Sequence, residues 1–256
     1  MTETTEGQGA VERPAGEDLR ASGVSRAYAG VVALRSVTFR LDRHEVVGLI
    51  GPNGAGKTTL VNILSGYDIA DQGRISMEGQ DITAWSPLRR SRARLARTFQ
   101  HGHVFPGLSV RENVEVGAIG MGSLPRDARP IADEILDLLG MADAADKSAS
   151  ILSHGQERKL GVARALAIDP RYVLMDEPAA GLNEEEVLDF AEVVRSVRSR
   201  QGAGVLVIDH NVALIMDVCD RVYVLDQGRV IAEGTPREIM HDPAVATAYL
   251  GTIHAG

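Results

Sequence analysis

Cysteine, aromatic residues, surplus positive charge and long apolar runs are all scarce in this chain, and each scarcity excludes something. The 256 residues include a single cysteine, Cys219. An intrachain disulfide framework is therefore ruled out, and the composition fits a reducing compartment. Cys219 lies within an apolar helical pattern, so a packed thiol is expected there rather than a reactive one. The formal net charge is −8, which disfavours non-specific nucleic-acid binding through a basic surface. No apolar run approaches the ~18 residues that span a bilayer, and the N-terminus lacks the basic-then-apolar pattern of a secretory signal. The chain is expected not to cross a membrane itself, though it could dock on a protein that does. Its length suffices for a full core, as one large domain or a core with a subdomain.

What is present centres on GPNGAGKTT, Gly51 to Thr59. Gly51, Gly56, Lys57 and Thr58 satisfy G-x-x-x-x-G-K-[ST]. An apolar run of strand length, EVVGLI, precedes the loop, and LVNILSG follows with Leu60, Ile63 and Leu64 at helical spacing. Strand, glycine loop and helix together make a phosphate site, because backbone N–H groups of Asn53, Gly54, Ala55 and Gly56 can turn inward while the helix N-terminus adds positive dipole. Lys57 supplies a point charge for β- and γ-phosphates, the Thr58 hydroxyl is a hard oxygen ligand for Mg2+, and Thr59 continues the turn into the helix. A dinucleotide fingerprint starting at Gly54 would need glycine where Thr59 stands.

Two further strands end in polar groups. RYVLMDEP is a continuous apolar strand ending at Asp176 and Glu177. Such a strand reads as the centre of a parallel sheet, with ligands beyond its carboxyl end. Asp176 suits Mg2+, and Glu177 is placed to polarise an attacking water. GVLVID ends at His210, a donor suited to a γ-phosphate. A Ser153–His154–Gly155–Gln156 turn opens an amphipathic helix. Taken by itself that turn reads as an ordinary capped start, with a second anion site as the alternative. Tyr28 is either a core strand aromatic or a stacking face for a nucleotide base.

The remainder is organisational. Val32, Leu34, Val37, Phe39 and Leu41 mostly alternate with small or polar residues, predicting antiparallel strands ahead of the loop. Gly73 to Ile82 predicts a short strand pair. In RRSRARLAR, Arg90, Arg94 and Arg97 fall on one helical face, expected to be solvated. Ser109 with Glu112 predicts a capping box. Gly117 to Pro130 reads as a loop, and Ile131 to Leu139 as an amphipathic helix ending at Gly140. Arg221 to Ala232 predicts two strands about a Gln227-Gly228 turn. The expected division is a disordered tail at 1–17, a nucleotide-binding core at 18–100 and 160–235, a helical subdomain at 101–159 carrying the LSHGQ turn, and a helical C-terminal tail at 236–256.

In this order Tyr28, the glycine loop, Gln100, LSHGQ, Asp176-Glu177 and His210 resemble the ATP-binding subunit of ABC transporters, from about Leu19 to the C-terminus. The resemblance implies an α/β fold: a P-loop NTPase (RecA-like) core with an N-terminal antiparallel β region and an inserted helical subdomain. It implies a homo- or heterodimer paired head to tail, with ATP held between the loop of one chain and Ser153, Gly155 and Gln156 of the other. Gln100 would link the Mg2+ and water site to the helical subdomain. That subdomain docks on permease subunits at the cytoplasmic face of the membrane. Within the family, RTFQ, DEPAAGLN and EGTPREIMHDP…AYLG are similar to branched-chain amino acid importer ATPases of the G type, which imply a solute-binding protein as an indirect partner. Lipopolysaccharide-export ATPases share GVLVIDHNV and the AYLG ending. Two departures from the family's usual pattern are His154 in place of glycine and Asn183 in place of aspartate. A third is a stretch from Gly117 to Ile131 that is shorter than in the G-type subunit. A soluble ABC ATPase acting on ribosomes or DNA would bring a second cassette or a heptad insertion, and neither is present. A P-loop kinase would not need LSHGQ or the glutamate.

Overall fold

A computed structural model of the chain describes residues 16–98 and 104–251. The tail at 1–15, the Gln100 position and residues 252–256 lie outside the described residues. The chain opens with β1 (Asp18–Tyr28), β2 (Val31–Asp42) and β3 (Val46–Ile50), followed by α1 (Lys57–Ser65). Next come β4 (Gln72–Met77), β5 (Gln80–Asp81), α2 (Pro87–Arg92) and β6 (Leu95–Arg97). Then α3 (Val110–Gly120), α4 (Pro125–Leu138) and α5 (His154–Leu166) form a helical stretch before β7 (Tyr172–Asp176), α6 (Glu184–Gln201) and β8 (Gly204–Ile208). The chain closes with α7 (Val212–Val218), β9 (Arg221–Asp226), β10 (Arg229–Gly234), α8 (Pro236–Met240) and α9 (Pro243–Gly251).

Two sheets result, of four strands (β2-β1-β4-β5) and six strands (β10-β9-β3-β8-β7-β6). The first is antiparallel, and its register aligns Leu19 with Leu41 and Met77, and Ala21 with Phe39 and Ile75, all buried. In the second, β9, β3, β8, β7 and β6 run parallel, with β10 antiparallel at one edge. The period of two in a strand splits each continuous apolar run between two cores. In β8, Leu206 and Ile208 join α1 and the antiparallel sheet, while Val205 and Val207 join α5, α6, α7 and the helical stretch. This explains why β7 and β8 are apolar throughout: α1 and the antiparallel sheet cover one face and helices the other.

The Gln227-Gly228 turn has both residues at positive φ (+44° and +76°), the geometry of a two-residue hairpin. The Ser109–Glu112 capping box is formed, with Glu112 N–H donating to Ser109 Oγ at 3.2 Å and Ser109 N–H to the Glu112 carboxylate at 2.7 Å.

Two expectations are corrected. Residues 117–130 are not a loop, because α3 runs to Gly120, α4 starts at Pro125, and four residues join them. Gly117 is a packing glycine: a Cβ there would meet Arg164 O at 2.8 Å and Ala167 Cβ at 2.9 Å, where α3 crosses α5. Pro125 is at the first helical position, where a missing N–H costs nothing, and Pro130 is exposed, so the carbonyl it leaves unpaired can meet water. The arginines do not share a solvated helical face either. The helix α2 stops at Arg92, Arg94 takes φ +70°, and Leu95–Arg97 is a strand beside β7. Arg90 is buried and Arg97 is nearly so.

Candidate functional site

Strand register builds the site. Leu49 of β3 pairs with Ile208 of β8, and Ile208 pairs with Asp176 of β7. Gly51, Glu177 and His210 therefore leave the sheet along one carboxyl edge, where open α/β sheets bind ligands.

The loop at this edge is held from behind. Gly51 takes φ +151° against the end of β9, and a Cβ there would lie 2.0 Å from Leu225 O. No residue but glycine fits. Gly228 N–H donates to Ala55 O at 2.9 Å, so the β9–β10 hairpin buttresses the loop. Its outer side faces solvent: Asn53, Gly54 and Thr58 are exposed, Gly54 has φ +78°, and a Cβ at Gly54 would meet nothing within 4 Å. The four helices α3, α5, α6 and α8 each close their first turn with a capping box, whereas α1 has neither a side-chain cap nor an acid in its first turn. Its first N–H groups thus keep their positive end for an external acceptor. Lys57 is buried, with Nζ donating to Gly51 O (2.7 Å) and Pro52 O (3.0 Å). Burial lowers its pKa, while the nearby Glu177 and Asp176 carboxylates raise it again. The ammonium therefore senses both acids across the edge. A cradle of this shape and charge fits a triphosphate.

Asp176 pairs with Arg97 (Nη2 to Oδ2, 2.9 Å), and Arg97 also reaches Asn62 Oδ1 at 2.7 Å and Ser65 Oγ at 3.0 Å on α1. Glu177 takes φ +49°, an uncommon conformation for a residue with a side chain, and its N–H donates to Ile208 O at 2.7 Å. His210 Nε2 lies 3.2 Å from Glu177 Oε1 and must donate to it. Behind them Asp209 is buried, accepting from Ala179 N–H and Asn211 N–H at 2.8 Å each. Burial raises its pKa despite those two bonds. An acid aligned by an imidazole is an arrangement able to orient and polarise a water molecule. Among the described residues no cluster of His, Cys, Asp and Glu forms a metal cage. Asp176 and the Thr58 hydroxyl offer instead the sparse oxygen set with which Mg2+, completed by phosphate oxygens and water, is usually held.

The remaining candidates lie apart. Ser153, Gly155 and Gln156 open α5, with Ser153 Oγ accepting from Gln156 N–H at 3.3 Å and Gln156 Oε1 accepting from Ser153 N–H at 3.1 Å. Among the described residues no hydrogen bond or ion pair joins 153–156 to the loop at 51–59. Tyr28 is 42% exposed, so it is not a core aromatic. Its hydroxyl bonds Asp68, and the Arg26 guanidinium lies 4.8 Å from its ring centroid. Gln100 lies outside the described residues. Arg97 and Asp209 were not foreseen. Asp209 carries the signal that marks Asp176, an acid ending a fully apolar strand. Arg97 carries none, because its strand has three residues.

A glycine cradle and an acid–imidazole pair on one sheet edge define a P-loop nucleotide-hydrolysing protein, and comparison with known proteins narrows the class. The ABC transporter family matches residues 34–180, and the branched-chain amino acid ATP-binding cassette transporter family matches residues 229–255. The chain belongs to the ABC transporter ATP-binding proteins, ATPases that power transport. It is 36% identical to the lipopolysaccharide export system ATP-binding protein LptB of Haemophilus influenzae, over 91% of this chain and 97% of that one. It is 34% identical to the high-affinity branched-chain amino acid transport ATP-binding protein BraF of Pseudomonas aeruginosa, again over 91% and 97%. The fold matches the ADP conformation of MJ1267, an ATP-binding cassette of an ABC transporter (TM-score 0.82, 30% identity, 91% and 98% covered). It also matches MJ0796, a bacterial ABC transporter cassette solved as a dimer (TM-score 0.76, 25% identity, 86% and 99% covered). Among the described residues no helix is long and apolar enough to cross a membrane.

Proposed function

We propose that this chain is the ATP-hydrolysing subunit of an importer for branched-chain amino acids or related small solutes. The observation that carries the solute class is the match of residues 229–255 to the branched-chain amino acid cassette family. Gly51 to Thr59 would hold the phosphates, with Lys57 on the β- and γ-oxygens and Tyr28 against the base. Thr58 and Asp176 would hold Mg2+, which neutralises charge on the phosphates when bound. Glu177, aligned by His210, would polarise the attacking water, and Gln100 would link the Mg2+ and water site to the helical subdomain. Two chains, or this chain and a second ATPase subunit, would pair head to tail, so that Ser153, Gly155 and Gln156 complete the site of the other. The exposure of that turn and its separation from the 51–59 loop in its own chain support this pairing. The helical subdomain at 101–159 would carry the surface that docks on permease subunits. The protein would sit peripherally on the cytoplasmic face, served indirectly by a solute-binding protein and without a nucleic-acid partner.

LptB, at 36% identity, favours lipopolysaccharide export as the second reading. Deletion of the gene followed by labelled leucine, isoleucine and valine uptake separates the two. Uptake should fall and return with the wild-type chain but not with Glu177→Gln, which should bind ATP and stay closed. Normal uptake with lipopolysaccharide retained at the inner membrane would replace the importer reading with export.

A further inference from the structure

His154 is the first residue of α5, and its backbone is not at positive φ. Its side chain has partners. Nε2 lies 3.2 Å from Ala180 O and 3.4 Å from Arg158 Nη2; the carbonyl only accepts, so the contact with it is a hydrogen bond when Nε2 carries the proton. Arg158, one helical turn further on, sends Nη2 to the same oxygen at 3.3 Å. Two donors spaced i, i+4 on α5 thus converge on one main-chain acceptor. The ring's other nitrogen faces Glu157 at 3.8 Å. Gly181, at φ +80°, lies beneath the ring, and a Cβ there would be 3.1 Å from Nε2, so that glycine permits the approach.

The turn that receives these bonds is the one following Glu177. Ala180 N–H donates to Glu177 O at 3.3 Å, and Leu182 N–H donates to Ala179 O at 3.1 Å. Ala179 N–H is held by Asp209, whose neighbour His210 binds the Glu177 carboxylate. A continuous run of hydrogen bonds therefore leads from the start of α5 to the acid–imidazole pair.

We propose that His154 is a positioning residue. With Arg158 it ties the Ser153–Gln156 turn, offered to a partner chain's nucleotide, to the Ala180–Gly181 turn beside this chain's own Glu177. Each nucleotide site of a pair is thereby coupled to the other. The inference rests on the head-to-tail pairing described above. Coupling of this kind requires a stiff connection between two elements that would otherwise shift independently, and paired donors on one carbonyl supply it.

The test compares the full-length chain with His154→Ala and with His154→Gln, whose amide can donate to the same carbonyl. Hydrogen exchange without nucleotide should rise roughly five- to tenfold at Ala179–Leu182 in the alanine variant, the factor expected for one lost hydrogen bond, with β3, β7 and β8 unchanged. The Hill coefficient of ATP hydrolysis should fall toward one and kcat should drop, with fluorescent-ADP affinity unaltered. The glutamine variant should restore all three. Unchanged exchange at Ala179–Leu182, an unchanged Hill coefficient, or a glutamine variant as impaired as alanine overturns the proposal. Failure of the pairing itself reads differently. The unsubstituted chain would then hydrolyse ATP without cooperativity or not at all, which removes the coupling whatever the exchange arm reports about the tie.

Discussion

Replacing Arg90 should be among the most destabilising single changes in this chain, although it touches no nucleotide-facing group. The side chain is 1% exposed. Its guanidinium donates to five main-chain carbonyls: Ile63 O (2.5 Å), Leu64 O (2.6 Å), Ile82 O (2.9 Å), Thr83 O (3.1 Å) and Trp85 O (3.1 Å). Ile63 and Leu64 belong to the last turn of α1, so a buried cation closes the negative end of the helix whose positive end follows the Gly51–Gly56 loop. Burial pushes its pKa down to about 10, which still leaves it charged at neutral pH. Arg90→Met keeps the apolar stem and strips the five donors. Taking ~1 kcal/mol for each buried acceptor left unmet, with partial relaxation, the loss is about 3–5 kcal/mol. At 2–4 °C per kcal/mol for a chain of this size, Tm should fall by roughly 6–20 °C. Arg90→Lys keeps the charge with three donors instead of five and should cost about half as much. Urea unfolding of the three proteins followed by circular dichroism measures the ordering. A methionine variant within 1 kcal/mol of the wild type would refute the argument that these carbonyls depend on the guanidinium.

Lys57→Ala removes the one ammonium in the cradle and should weaken ATP binding by roughly a hundredfold or more, read by titration with a fluorescent analogue; unchanged affinity would refute the phosphate assignment. Asp209 gives a pH prediction. Its folded pKa is raised above the ordinary ~3.9, so its stabilising contribution is full below that value and is lost as pH rises through the folded pKa. The urea midpoint of wild type minus that of Asp209→Asn should therefore decline as pH is raised from about 4, and a difference that grows instead would reverse the sign. Cys219 is buried and its thiol pKa is pushed well above the usual range by desolvation. Alkylation at pH 8 should be slow in the folded chain and immediate in denaturant, by mass spectrometry; fast labelling of the native protein would mean the α7 end opens.

Motifs whose chemistry is local were legible in the residues themselves. The glycine loop, the apolar β7 and β8, the acids at the end of β7, the Ser109–Glu112 box and the Gln227-Gly228 turn each depend on neighbours within a few positions. Spacing alone therefore determined their form, and their order along the chain determined the family. What tertiary structure decided depends on residues brought from afar. A run of arginines at helical spacing became a buried helix clamp, Arg90, and a strand residue, Arg97, held against Asp176. The reason is that desolvation is set by what packs around a side chain, not by its periodicity. Glycine and proline between 117 and 130 read as loop because their local preferences are strong. Close packing of α3 on α5, and solvent around Pro130, overrode those preferences. The site followed the same division. The sequence by itself determined which groups are available to bind and hydrolyse a triphosphate. The strand register decided that Gly51, Glu177 and His210 share one edge, and the contact between α5 and the Ala180 turn decided that His154 faces a carbonyl. Both are pairings over long sequence separations that no local pattern encodes.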